Sequence, residues 1–247
     1  MTVLPGAPAS SSVEGLLVVN KPKGLTSHDV VQRLRGKLGL RRIGHAGTLD
    51  PMAEGVLVLL VGRSTKLVDA IHAHRKCYEA VITLGAQTRT ADAWGETVRR
   101  EPVPTLSDSD VDAALASCLG AQCQVPPAFS AVKVRGRPLY WWARRGTPQP
   151  AAARTITVAS IERLRWQSPE LAFRVECSTG TYVRVLAETI AQRLDTVGHL
   201  SALTRVSIGP WTLRDACTLA WLEQAGRAEV VRALQQLTLD HGHSDRP

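Results

Sequence analysis

Apolar positions along the chain recur with two spacings. Gly15 to Asn20 (G-L-L-V-V-N) reads as a short apolar strand closed by a Lys21-Pro22-Lys23-Gly24 turn. Thr26-Ser27 then offers an N-cap, and Val30, Val31, Leu34 and Leu38 form a helical stripe that Gly39 ends. Val56 to Val61 is a buried strand. Ser64 caps a second helix running to about His74. Tyr78, Ala80, Ile82 and Leu84 alternate with Glu79, Val81 and Thr83, a strand pattern. Gln87 to Glu96 is polar and expected to be a loop. A helix capped near Ser107 points Val111, Leu115, Cys118 and Leu119 inward until Val125-Pro126-Pro127 breaks it off. Phe129 to Val134 looks like a strand, and Arg135-Gly136 like a tight turn. Pro138 and Gly146 bracket a helix. Ile156 to Trp166 and Leu171 to Cys177 read as paired strands, and Val183 to Leu194 as a helix. Leu203 to Ile208 is a further strand, before a final helical stretch around Leu219 to Leu237. Strands and helices mix without a βαβ rhythm, so the class is α+β with a mostly antiparallel sheet.

Composition narrows the function classes. The 247 residues suffice for one large domain or two modest ones, and 44% are hydrophobic. A net charge of +8, carried mostly by Arg, favours a polyanionic partner. No apolar run is long enough to span a membrane. Residues Met1 to Val13 are uncharged and small, unlike a signal peptide, and are read with Glu14 as a disordered segment. The five cysteines (Cys77, Cys118, Cys123, Cys177, Cys217) are odd in number and form no C-x-x-C pair, so reduced thiols in a cytoplasmic protein are expected. The seven histidines do not cluster, and no metal site is expected.

One stretch invites chemistry: Arg41-Arg42-Ile43-Gly44-His45-Ala46-Gly47-Thr48-Leu49-Asp50-Pro51. Its glycines permit backbone shapes that other residues resist, and Pro51 pushes Asp50 towards an extended conformation. The loop thus presents Asp50 at a fixed angle, either for chemistry or as a solvated Asp-Pro turn. Arg184, at the strand-to-helix junction Gly180-Thr181-Tyr182-Val183-Arg184, is its candidate partner, since a cation keeps such a carboxylate ionised and aimed. An ordinary surface arginine at a helix start is the alternative. A second stretch, Lys133 to Arg145, interleaves Lys133, Arg135, Arg137, Arg144 and Arg145 with Tyr140-Trp141-Trp142. Cations that track phosphates and rings that stack on splayed bases suit nucleic acid; a solvated helix anchored by its rings is the alternative. Tyr78 opens its strand, where its ring either stacks on a flipped base or is half-buried in the sheet.

These stretches closely resemble the bacterial tRNA pseudouridine synthases of the TruB type. The matching pieces, in family order over about residues 15 to 210, are Asn20 to Asp29, Arg42 to Pro51, Gln124 to Lys133, Gly180 to Arg184 and Gly198 to Arg205. The resemblance implies an isomerase that converts the uridine at tRNA position 55, in the T-loop, to pseudouridine without metal or cofactor. It implies a pseudouridine-synthase core with a long mixed, largely antiparallel sheet and a central cleft. Asp50 falls on the family's nucleophile, whether it adds to the sugar, adds to the base or promotes a glycal. His45 falls on a residue that helps hold the flipped-out nucleotide, Tyr78 on one placed against the target base, and Tyr182 in the same pocket. Arg184 falls on the partner of the carboxylate and Leu203 on the apolar wall. The insertion of about residues 124 to 153 grips the T-loop, with Lys21 as a further tRNA contact. The expected organisation is a catalytic domain over residues 15 to 215, then a C-terminal helix and tail in place of the relatives' RNA-binding module, in a monomer with no obligate protein partner. Glu54 and Trp94 depart from the family pattern. A non-catalytic RNA-binding scaffold and a synthase acting on another RNA remain the alternatives; a membrane-surface role has only the charge in its favour.

Overall fold

The two longest apolar runs demand burial on both faces, and the sheet is built outward from them. A computed structural model of the chain describes residues 13–235. The expected N-terminal disorder falls, apart from residues 13 and 14, outside that span, as do the end of the expected final helical stretch and the tail, residues 236–247. In chain order, β1 (Gly15–Lys21) leads to α1 (Ser27–Leu38), β2 (Ile43–His45) and β3 (Glu54–Val61). A 3-10 segment (Gly62–Leu67) runs into α2 (Val68–Ala73) and β4 (Lys76–Leu84). The short strands β5 (Ala86–Thr88) and β6 (Thr97–Arg100) precede α3 (Asp108–Ala116) and β7 (Gly120–Gln124). The next segment carries β8 (Lys133–Val134), β9 (Arg137–Pro138) and α4 (Leu139–Arg144). Then come β10 (Arg154–Gln167), β11 (Glu170–Cys177), α5 (Val183–Arg193) and β12 (Gly198–Ile208). β13 (Trp211–Thr212), β14 (Cys217–Thr218), α6 (Leu219–Gln224) and α7 (Arg227–Ala233) complete the described chain.

Ten strands form one sheet in the order β14-β1-β3-β12-β4-β11-β10-β7, with β2 added to β3 and β13 to β12. Only β1–β14 and β3–β12 pair in parallel, so the sheet is mixed and mostly antiparallel. Alternate residues of β1 and β3 supply two cores. Leu17, Val19, Leu57, Leu59 and Val61 meet α1, α6 and α7, whereas Leu16, Val18, Val56, Val58 and Leu60 meet Ile71 and Ile208. Both faces are therefore covered, which is why these strands read as unbroken apolar runs. Each such Leu or Val contributes about 1.5–3 kcal/mol when fully buried. β4 and β11 present Ile82, Leu84, Phe173 and Val175 to a third core beneath α3 and α5. Thr26 is the expected N-cap of α1 and forms a capping box with Asp29, and Gly39 ends the helix in the left-handed conformation at φ 68°.

Several elements differ from the sequence reading. Ser64 does not cap a helix; the chain first makes the 3-10 segment, and α2 starts at Val68. The polar loop at Gln87 to Glu96 is flanked by the β5–β6 pair. β7 (G-A-Q-C-Q) lacks apolar alternation because it is a largely exposed edge strand held by backbone pairing to Arg154–Val158. Phe129 to Val134 is not a strand over its length, because its carbonyls serve other donors: Phe129 accepts from Arg184, Ser130 from the Tyr140 N–H and Val132 from the Leu139 N–H. The final helical stretch breaks in two where Ala225 and Gly226 turn extended.

The parallel pairing of β3 with β12 is tight. Gly55 sits opposite Arg205 with φ 110°, and a Cβ there collides with the Arg205 carbonyl. Gly55→Ala is therefore expected to destabilise the fold by about 3 kcal/mol or more, read as a drop in denaturant midpoint; an unchanged midpoint contradicts this packing.

Candidate active site

The loop after β2 gets its shape from contacts at both ends. The Ser27 hydroxyl, on the first residue of α1, accepts from the Leu49 N–H at 2.8 Å and donates to the Leu49 carbonyl at 3.2 Å. The Gly24 N–H donates to the Pro51 carbonyl at 2.9 Å, and the Ala53 N–H to the Asp50 carbonyl at 3.0 Å. From below, the Arg205 guanidinium donates to the carbonyls of Gly47, Thr48 and Val56 at 3.0, 3.3 and 2.8 Å. Asp50 is thus held by its backbone on both sides, and its side chain remains one-third exposed.

Arg184 comes to this loop from the first turn of α5. Its Nε donates to Asp50 Oδ2 at 2.8 Å, Nη1 to the Thr90 carbonyl at 2.8 Å and Nη2 to the Phe129 carbonyl at 2.9 Å. Its side chain is 3% exposed, which excludes the surface-arginine alternative. Asp92 Oδ2 stands 4.0 Å from the same Nε, and its other oxygen is occupied by the Thr90 hydroxyl and the Trp94 N–H. A desolvated guanidinium fixed by three acceptors cannot wander, so the carboxylate it holds is aimed as well as charged.

A cleft of about 310 Å³ opens above this pair. Asp50, Tyr78, Tyr182, Arg184 and Leu203 all line it, together with Lys76, Arg154, Ser130, Thr179 and Arg205. That volume suits a single nucleotide. Tyr78 is buried at the start of β4 with Arg205 as its cross-strand neighbour. Burial raises its phenol above the ordinary tyrosine value, with the Arg205 charge pulling the other way, so it stands protonated at neutral pH. Burial pulls the Lys76 ammonium down to about 8; that group donates to the carbonyls of His72 and His74.

Two expected site residues lie elsewhere. His45 sits half-buried on β2 opposite Leu59 and does not line the cleft; burial lowers its pKa, and its Nδ1 has no partner among the described residues. Lys21 is fully buried rather than on an RNA-facing surface. It donates to the carbonyls of Pro22 and Leu25, and burial lowers its pKa to about 8. The expectation of Lys21 as a tRNA contact is corrected on that ground: a sequestered ammonium cannot meet a phosphate. Sequence reasoning did not single out Lys76 or Arg205, although Arg205 closes a matching motif. Glu54 is half-buried and accepts from Thr204 at 3.3 Å, while Trp94 is 59% exposed.

The insertion begins with a reciprocal amide pair. Gln124 accepts from the Tyr182 N–H at 2.7 Å and donates to the Tyr182 carbonyl at 3.1 Å. Beyond it, β8 and β9 form a two-stranded hairpin and α4 carries the aromatic run. The Arg145 and Arg137 guanidinium carbons lie 4.1 and 5.4 Å from the Trp141 ring centroid, and that of Arg144 5.5 Å from Tyr140. Trp142 donates to the Val134 carbonyl at 3.2 Å, tying α4 to the hairpin. Lys133, Arg135, Arg137, Arg144 and Arg145 therefore share one protruding unit, outside the cleft. Among the described residues no cluster of His, Cys, Asp and Glu suits a metal ion, and no helix is long and apolar enough to cross a membrane.

Known proteins are similar to this chain. Residues 35–183 match the TruB family pseudouridylate synthase N-terminal domain. The chain is 44% identical over 222 residues to the tRNA pseudouridine synthase B of Opitutus terrae, covering 90% of this chain and 92% of that one. It is 46% identical over 214 residues to that of Thermobifida fusca, covering 83% and 73%. Among solved structures, it is similar to a chain of a Cbf5-Nop10-Gar1 complex with a TM-score of 0.69 and 28% identity, covering 90% of this chain and 60% of that one. With the core, the cleft and these likenesses together, the chain belongs to the TruB family of pseudouridylate synthases.

Proposed function

We propose that this enzyme, an isomerase of pseudouridine synthesis in tRNA, converts the uridine at position 55 of the T-loop, with Asp50 as its nucleophile. The observation that carries the reading is the buried Arg184 holding Asp50 at the mouth of a nucleotide-sized cleft. The reaction breaks the C1′–N1 bond, turns the base and joins C5 to C1′. C5 then gives up its proton and N1 takes one, so every heavy atom of the base is kept. An ionised carboxylate fixed against a guanidinium serves attack at C1′, attack at the base, or removal of a proton from C2′. Tyr78 and Leu203 offer a ring and an apolar wall to the flipped base. Their contacts offset the few kcal/mol that unstacking costs.

In the same reading the insertion grips the T-loop. Arginines fanned around Trp141 and Tyr140 give both a cationic track for phosphates and ring faces for splayed bases. His45, away from the cleft wall, acts on the flipped arrangement from beside the loop that carries Asp50. The cleft is complete within one chain, which supports a monomer, and the five free cysteines suit the cytoplasm. A guide-directed RNA is the weaker substrate. The relatives named tRNA pseudouridine synthase B reach 48% identity, against 28% for the chain in the Cbf5 complex.

The test is pseudouridine mapping of an unmodified tRNA transcript incubated with the purified chain and no added cofactor. Conversion confined to the T-loop uridine is expected; tight binding without conversion overturns the catalytic reading. Asp50→Asn is expected to abolish turnover while leaving tRNA affinity within a few-fold, and unchanged turnover sinks the nucleophile assignment. Neutralising Lys133, Arg135 and Arg137 together is expected to weaken tRNA binding and flatten its salt dependence by up to about 2–3 units of slope. An unchanged slope removes that patch from the interface.

A further inference from the structure

Arg205 is the most deeply buried charged side chain in the cleft wall. It is 1% exposed, on the central strand β12, and lines the cleft beside Tyr78. Its described hydrogen bonds go to neutral groups, the carbonyls of Gly47, Thr48 and Val56. Among the described residues it makes no salt bridge, because Asp50 and Asp92 both face Arg184. Burying an unpaired charge is expensive, and burial duly pulls the Arg205 pKa down. Holding three carbonyls requires N–H donors; it does not require a full positive charge. A desolvated cation kept at such cost beside a reaction cleft has an electrostatic use.

The reaction supplies one. When C1′–N1 breaks, its electron pair goes to the base. If Asp50 closes on C1′, uracil departs as an anion. If Asp50 instead takes the C2′ proton, uracil again departs as an anion. If Asp50 adds to C6, the displaced pair moves through C5 to O4. Every route puts negative charge on the ring. Asp50 is neutralised in each route, as an ester or by the proton it takes, so the negative charge passes to the ring, while Arg184 stays tied by its donors to Asp50 and to the carbonyls of Thr90 and Phe129.

Resting on the proposed substrate reading, we propose that Arg205 is an electrostatic residue of the reaction: its unpaired charge stabilises the anion that forms on the uracil ring between cleavage and rejoining. The Tyr78 phenol lines the same cleft and feels this charge. The loop-anchoring role of Arg205 is separate from this one, and the two are separable by experiment.

The test compares wild type, Arg205→Gln and Arg205→Lys on two tRNA transcripts, one carrying uridine and one 5-fluorouridine at the target position. Single-turnover consumption of the starting nucleotide is read on each, beside tRNA affinity. Fluorine at C5 stabilises the ring anion by itself, so it substitutes for the missing charge. With uridine, Arg205→Gln is expected to slow consumption about 100-fold, the scale of losing one preorganised electrostatic group, with affinity within a few-fold. With 5-fluorouridine that deficit is expected to shrink about tenfold or more. Arg205→Lys keeps the charge and is expected to lose less on uridine; if the Gln variant does not fold, the neutral Arg205→Met variant takes its place in the fluorine comparison. A deficit equal on both transcripts in the neutral variant assigns Arg205 to loop anchoring alone and overturns the proposal. Wild-type conversion of the T-loop uridine in the same reactions separates that failure from a failure of the substrate reading.

Discussion

The contact between Arg184 and Asp50 governs the site. An aspartate on a glycine-bearing loop is ordinarily a solvated, mobile group. Here a guanidinium at 3% exposure holds it at 2.8 Å, and that guanidinium is itself fixed by two carbonyls from separate loops. Removing Arg184 would leave a carboxylate without its partner and two carbonyls without their donor. Breaking a buried pair by deleting one member costs several kcal/mol, whereas an exposed pair is worth a fraction of that. The rest of the fold can be seen as what brings residues 50 and 184 together and keeps water off the cation.

The sheet does this by placing β12 between β3 and β4. β12 runs parallel to the strand that follows the Asp50 loop and antiparallel to the strand that carries Tyr78. Arg205 lies opposite Gly55 on one side and Tyr78 on the other, so the loop, the ring and the cation share one register. A slip of one residue would turn Leu203 and Arg205 away from the cleft. The absence of a side chain at Gly55 allows the two strands to meet at all.

Much of this was legible in the sequence, for identifiable reasons. β1, β3, β4, β11 and α1 announce themselves because their burial is periodic or continuous and their ends carry local signals such as Thr26 and Gly39. Asp50 and Arg184 were legible as a pair through their motifs, although 134 residues separate them. What escaped lacked a local signature. β7 is specified by the strand beside it rather than by its own pattern. Lys21 reads as a surface cation until tertiary burial encloses it. Lys76 and Arg205 look like ordinary strand polar residues until three strands converge on them. Burial of a charge is decided by distant chain, so a linear reading misses it most often where it matters most to chemistry.

The anchoring of the insertion has a consequence of a different kind. Arg184 Nη2 donates to Phe129, and the next residue, Ser130, accepts from the first turn of the aromatic helix through Tyr140. The aromatic helix and the Asp50 carboxylate are therefore three hydrogen bonds apart, through Tyr140–Ser130, Phe129–Arg184 and Arg184–Asp50. In the proposed reading, the part that holds the RNA and the part that sets Asp50 are joined by these contacts. In that reading, a change in the hold on the RNA bears on where the carboxylate sits, and so on rate as well as affinity. Substrate discrimination in such a machine resides in how well the seated RNA squares the catalytic pair, as much as in how firmly it is held.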